Sequence, residues 1–258
     1  MVAYPRIGLI GDTEGSVPAI EATIAACRAA GVDMIVHAGD IIATPFSPDP
    51  PGETIEIARR EGLRCVLGNN DRYLADWGTS RWEATVATRR ARPDRSPDYF
   101  LPFVEAGQAE LTAGDLAWLR SQPEELVLNV TRPADVYVCH GMPGNPFNTI
   151  WPRSPSYDAN VSDDMRLAAL GRPELAQVDL ILCGHALGPH TQLDVLPNGR
   201  QVLVVRASGW PDLRDGRRRT SVALLTAGAA GWRVQLEPVM YTPRDPHWRW
   251  DEKTVPLR

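Results

Sequence analysis

Two carboxylates, Asp12 and Glu14, follow the apolar run Ile7-Gly8-Leu9-Ile10-Gly11 at a spacing of i and i+2. Side chains so placed on one loop can both turn toward a single cation; their ordinary alternatives are a helix cap or solvent. The design recurs four times. Met34-Ile35-Val36-His37-Ala38-Gly39 ends at Asp40, and Arg64-Cys65-Val66-Leu67-Gly68 ends at Asn69, Asn70 and Asp71. Val136-Tyr137-Val138-Cys139 ends at His140-Gly141, and Leu180-Ile181-Leu182-Cys183-Gly184 ends at His185. Asp12, Asp40, Asn69, His140 and His185 thus each close an apolar run beside a glycine. Oxygen and imidazole donors together suit Mn, Fe and Zn, and glycine lets the backbone turn sharply next to a ligand. Singly, each residue has a plainer role: a buried histidine is more often a satisfied core residue, and Asp and Asn favour turns. It is the repetition, in order along the chain, that points to metal chemistry.

The elements that must position these groups follow from the same runs. Each reads as a buried strand, and ligands in open α/β sheets gather at the carboxyl ends of strands. After Glu14, apolar residues at helical spacing (Val17, Ile20, Ile24, Cys27) predict a helix over 17–30, with Ser16 as N-cap, Pro18 in the first turn and Gly31 at its end. A proline-rich loop over 45–52 and a short helix over 54–61 complete a strand–helix–strand–helix–strand series, the signature of a parallel half. His37 alternates away from the strand end and reads as structural. The stretch 72–113 is polar, rich in Arg and Trp, and predicted to form helices covering the site. A short helix opens at Thr112-Ala113-Gly114-Asp115 and stops before Pro123. Neighbouring strands are expected over 125–130 and 134–139, a loop over 143–155, a helix over 162–170 and a strand over 178–183. Strands over 191–196, 201–206, 221–226 and 232–238, with an Asn198-Gly199 turn, are expected to make the second sheet. One domain over 1–240 is expected, followed by a tail over 241–258.

Composition bounds the function. The chain has 258 residues, 43% of them apolar, and a formal net charge of −5. No long charge run and an acidic balance argue against a dedicated nucleic-acid or membrane-surface binder. Cys27, Cys65, Cys139 and Cys183 fit neither a zinc finger nor a disulfide framework. With no signal-peptide pattern and no span long enough for a bilayer, a cytoplasmic protein is the expectation. Assembly into a homo-oligomer stays open.

The order GD-x-x-G, GD, GN-x-D, HG, GH resembles that of the calcineurin-like metallophosphoesterases, in particular the small bacterial and archaeal phosphodiesterases, over residues 5–226. The resemblance implies an α/β protein, a four-layer α/β/β/α sandwich of two mixed sheets flanked by helices. It implies two divalent metals (Mn, Fe, Mg or Zn), one held by Asp40, Asn69, His140 and His185, the other by Asp12 and its neighbours with Asp40 shared. It also implies a phosphoester substrate attacked by hydroxide held on the metals.

The chain departs from that pattern in three places. Glu14 stands where imidazole is usual; as a ligand it shifts preference toward Mn, Mg or Fe, and its alternative is solvent or an arginine. Leu187 stands where a second histidine is usual, and His190 follows after Gly188-Pro189. Two placements are open for His190: a bulge that returns it to the vacant metal position, or the next strand. Asn70 stands where a proton-donating histidine is usual, which favours diesters or activated esters over unactivated monoesters. Arg72 reads either as a phosphate clamp or as a surface ion pair. These readings favour a Mn-dependent phosphodiesterase. The alternative is a scaffold with a worn site, since the superfamily includes the retromer scaffold subunit.

Overall fold

A computed structural model describes residues 5–245 apart from 44–46, 91–103, 133–134, 153–160, 210–212 and 230. Most of the expected tail and part of the expected 72–113 cover lie outside the described residues.

Strands β1 (Arg6–Ile10), β2 (Met34–His37) and β3 (Arg64–Cys65) are parallel neighbours. Helices α1 (Val17–Ala29) and α2 (Pro51–Arg60) make the crossovers. Ser16 caps α1, and Val17, Ile20, Ile24 and Cys27 are its buried stripe. Helix α2 starts at Pro51, earlier than the sequence suggested, because proline's fixed φ and missing N–H suit a first turn. Helices α3 (Asn69–Asp76), α4 (Ser80–Arg90), α5 (104–109) and α6 (Ala113–Ser121) follow. The second sheet holds β4 (Glu125–Leu128), β5 (Val136–Cys139), β6 (Leu180–Cys183), β7 (His190–Val195) and β8 (Gln201–Arg206) in the order β4-β5-β6-β8-β7, with α7 (Asp163–Leu170) preceding β6.

The alternation of side chains builds four layers. Ile7, Leu9 and Val36 meet Val136, Val138, Leu180 and Leu182 between the sheets. Ile10 packs against α1, α2, α3 and α6 on one outer face. Tyr137, Cys139, Ile181 and Cys183 pack against Ala169 and Leu170 of α7 on the other. Gly8 is needed where α1 crosses β1, since a Cβ there would lie 2.5 Å from Cys27 Sγ.

One expectation is corrected. Only β7 and β8 join the second sheet. The last strands, β10 (Arg217–Gly228) and β11 (Gly231–Tyr241), return to the first, whose order is β11-β10-β1-β2-β3, with short β9 (Leu213–Arg214) beside β10. The reason is the open edge of β1. It pairs antiparallel with β10 from Arg6↔Thr226 to Leu9↔Ala223, which puts Ala223 and Leu225 into the inter-sheet core. Among the described residues, no helix is long and apolar enough to cross a membrane. The start of the expected tail docks on the domain, where Arg244 pairs with Glu53 at 2.8 Å and Asp49 at 3.6 Å.

Candidate metal centre

The parallel runs β1-β2-β3 and β5-β6 bring five carboxyl ends to one rim of the sandwich, and the chain turns sharply there. Asp12 (φ 49°), Glu14 (φ 53°), Asp40 (φ 54°) and His185 (φ 72°) all adopt left-handed backbone, which is uncommon outside glycine and gathers at functional sites. Gly39 (φ 88°) and Gly68 make room: a Cβ on Gly68 would lie 2.0 Å from Asp40 Oδ1. Asp71, fully buried, joins the loops after β2 and β3. Its carboxylate accepts from Gly68 N at 2.9 Å and Ile42 N at 3.1 Å.

His140 is the hub. Its Nδ1 lies 2.7 Å from the carbonyl oxygen of Ala38, to which it donates, so Nε2 is the ring nitrogen turned into the site. That Nε2 lies 3.3 Å from Asp40 Oδ2, 3.1 Å from Asn69 Oδ1 and 4.0 Å from Asp12 Oδ1. His185 Nδ1 lies 2.8 Å from Asn69 Oδ1 and 3.2 Å from His140 Nε2. His185 N donates to Asp12 Oδ1 at 3.1 Å, while Asp12 Oδ2 is buried with no hydrogen-bond partner among the described residues. One atom each from Asp12, Asp40 and His140 lies within 4.8 Å of the others, a grouping able to hold a metal ion. Burying acceptors this close without a cation is costly; an orphaned carboxylate oxygen beside an open imidazole nitrogen fits a divalent metal.

The titration behaviour agrees. Burial pushes the Asp12 carboxyl up to about 7, with Asp40 adding to it and His140 opposing. Burial also raises Asp71 to about 7, and raises Glu14 well above the carboxylate range with help from Asp40 and Asp12. Burial alone would lower His140, but Asp40 and Asp12 raise it to about 9. His185 is lowered to about 4 by burial and by His140. Asp40 would be raised by burial, but His140 holds it below its usual value. Such a cluster carries surplus acceptor charge, which a bound cation balances.

The structure therefore brings Asp12, Asp40, Asn69, His140 and His185 together. Glu14 reaches the rim, where its Oε2 accepts from Asn70 Nδ2 at 3.1 Å. His190 does not return to the site. It opens β7, with Nε2 2.9 Å from Gln192 Oε1. The cause is Arg206, a buried guanidinium bonded to Gly188 O at 2.8 Å, Leu187 O at 3.1 Å and Trp151 O at 2.8 Å, which holds the loop without a bulge. Arg72 is neither a clamp nor a surface pair. It is 7% exposed, bound to Asp76 and Glu124 at 2.7 Å each, and lies over the Phe147 ring. His37 is buried, facing Thr13 Oγ1 at 3.0 Å. The sequence reading missed Arg206 and the loop-joining role of Asp71; the only signal was an arginine closing an apolar strand and an aspartate after Asn69-Asn70.

Residues 6–229 match the calcineurin-like phosphoesterase superfamily domain. The chain belongs to that superfamily. A metallophosphoesterase from Sphaerobacter thermophilus shares the fold, with a TM-score of 0.55 and 23% identity over 92% of this chain and 88% of that one. The phosphoesterase Yfce from E. coli aligns with a TM-score of 0.39 and 16% identity over 85% of this chain and 87% of its own. Vps29 from Entamoeba histolytica aligns with a TM-score of 0.35 and 12% identity over 92% and 99%. Among curated proteins no sequence relative is found. Superfamily membership makes a phosphoesterase-type site the frame for the cluster around His140.

Proposed function

We propose that this protein is a metal-dependent phosphoesterase that favours diesters, with Mn the preferred metal. The observation that carries the reading is the tie from His140 Nδ1 to Ala38 O, which opens Nε2 toward Asp12, Asp40 and Asn69 at the meeting of five strand ends. Asp12, Asp40, Asn69, His140 and His185 would hold the metal. Divalent metal bound there supplies a nucleophile from water at neutral pH and offsets charge on the phosphoryl group. Carboxylate and amide oxygens beside two imidazoles suit Mn. A small phosphoester is the substrate class.

The preference for diesters rests on Asn70. Its amide donates to Asp40 Oδ2 at 2.9 Å and to Glu14 Oε2 at 3.1 Å. A carboxamide hydrogen-bonds but yields no proton to a leaving group, so esters whose leaving group departs unaided are favoured. Asn70→His should raise turnover of glycerol phosphate, an unactivated alkyl monoester, relative to bis(p-nitrophenyl) phosphate, on the order of tenfold or more, since general acid catalysis is typically worth 10²–10⁴-fold. An unchanged ratio would count against Asn70 as the cause.

A second reading, a binding platform on a worn site, is favoured by Leu187. It is 53% exposed where the resemblance places an imidazole. Metal analysis combined with diester turnover across Mn, Mg, Fe and Zn separates the two. Metal uptake with turnover supports the enzyme; neither one supports the platform.

A further inference from the structure

Two departures from the superfamily pattern, Glu14 and Asn70, lie 56 residues apart in sequence and touch in space. Asn70 is 6% exposed and holds both oxygens of Asp40. Its backbone N–H donates to Oδ1 and its side-chain amide to Oδ2, at 2.9 Å each. The same amide reaches Glu14 Oε2 at 3.1 Å. The NH₂ group thus bridges two carboxylates, as a cation shared between them would.

A carboxylate oxygen has two lone pairs. On Asp40 Oδ2, one direction faces His140 Nε2, 3.3 Å away in the cluster already described. The other receives the Asn70 amide. A second cation shared by Asp40 and Glu14 would have to displace that amide. The imidazoles that would help it do so are missing, because Leu187 offers none and His190 is bonded to Gln192 on β7. Asp12, which the resemblance assigned to a second metal, offers a ligand atom within 4.8 Å of those of Asp40 and His140.

We infer that the site holds a single divalent cation, with the Asn70 carboxamide, bridged between Asp40 and Glu14, standing in place of a second. This rests on the metal-dependent reading above and sharpens it: the reaction is served by one metal, and Glu14 is a partner of Asn70 rather than a ligand.

The test is metal stoichiometry, independent of turnover. The full chain is stripped with a chelator and titrated with Mn²⁺ by calorimetry, and folding of each variant is checked by thermal unfolding. The native protein should take up about one Mn per chain. Asn70→Ala should add a second, weaker site by uncovering Asp40 Oδ2 and Glu14, and Asn70→Ala with Glu14→Ala should return the count to about one. Glu14→Gln alone should leave the native affinity within about twofold, because an amide in its place still pairs with Asn70. Two Mn bound by the native protein, no second site in folded Asn70→Ala, or a loss of tenfold or more in Glu14→Gln would each overturn the inference. Should Asn70→Ala fail to unfold cooperatively, Glu14→Gln and the native count decide. A native protein that takes up no Mn rejects the metal-dependent function itself, an outcome distinct from uptake of two.

Discussion

The His140 imidazole is fully buried and sits among acceptors, so its proton and the metal compete for Nε2. In the metal-free protein its pKa is raised from 6.5 to about 9. A raised histidine contributes stability that is fully present below the unfolded value and is lost as pH climbs through the folded one. Asp12 and Asp71, raised to about 7, lose their contributions in the same direction but at lower pH. His185, lowered to about 4, has finished titrating before pH 8 in either state. Glu14, raised well above the carboxylate range, shifts stability in the same direction, and between about pH 8 and 9 His140 acts alongside it. The metal-free protein should lose thermal stability across that window, while Mn, freed from proton competition, should bind more tightly. The gap in melting temperature between Mn-loaded and metal-free protein should widen with pH, and His140→Ala should flatten it. Scanning calorimetry at several pH values checks this; a gap independent of pH would sink it. At this scale the sequence was informative wherever a residue closed an apolar run beside glycine, as Asp12, Asp40, Asn69, His140 and His185 do. It was silent on the Glu14–Asn70 contact, which depends on two loops meeting in space.

The loop between β6 and β7 is shaped from outside itself. Arg206, at the end of β8, bonds three backbone carbonyls from two loops and thereby fixes where His185 is presented. Arg206→Met keeps much of the stem but strands those carbonyls. Hydrogen bonds to a charged group are worth about 1.5–3 kcal/mol each, with non-additive sums; a loss on the order of 3 kcal/mol is expected, with weaker Mn binding. Urea unfolding and calorimetry measure the two effects. Lost stability with unchanged Mn affinity would make Arg206 a fold residue only. The loops after β2 and β3 are coupled more tightly still. A Cβ on Gly68 would fall 2.2 Å from Asp40 N as well as onto its carboxylate. Gly68→Ala should therefore displace Asp40 and weaken Mn binding by at least tenfold, a change of about 1.4 kcal/mol. Retained affinity would show that the loop can shift without moving the carboxylate. The helix and strand periods were readable at this scale, yet the path of the Gly184–Pro189 loop was not. A bulge and a direct run into β7 satisfy the same residues until Arg206 selects one.

For the whole molecule, every proposed metal ligand lies between Asp12 and His185, so a chain ending before β10 would keep the full donor set. The architecture argues that it would not keep the site. β10 covers the open edge of β1, the strand that delivers Asp12, and contributes Ala223 and Leu225 to the core between the sheets. Trp232, Val234 and Leu236 of β11 pack on that core from the same side. Ser221 of β10 also holds the segment after β8, its hydroxyl donating to Ser208 O at 2.8 Å and accepting from Ser208 N at 3.1 Å. Sequence alternation could not reveal this. A strand that is apolar on both faces fits either sheet of a sandwich, and only the partner edge decides. A chain truncated before Arg217 should thus lose cooperative thermal unfolding and Mn binding together. The loss of these core side chains, at about 1.5–3 kcal/mol for each large one fully buried, is comparable to the margin of about 5–15 kcal/mol by which a domain is stable. A truncated chain that still melted cooperatively and bound Mn would show that β1 needs no partner on that side. In that case the five strand ends alone would be enough to build the centre.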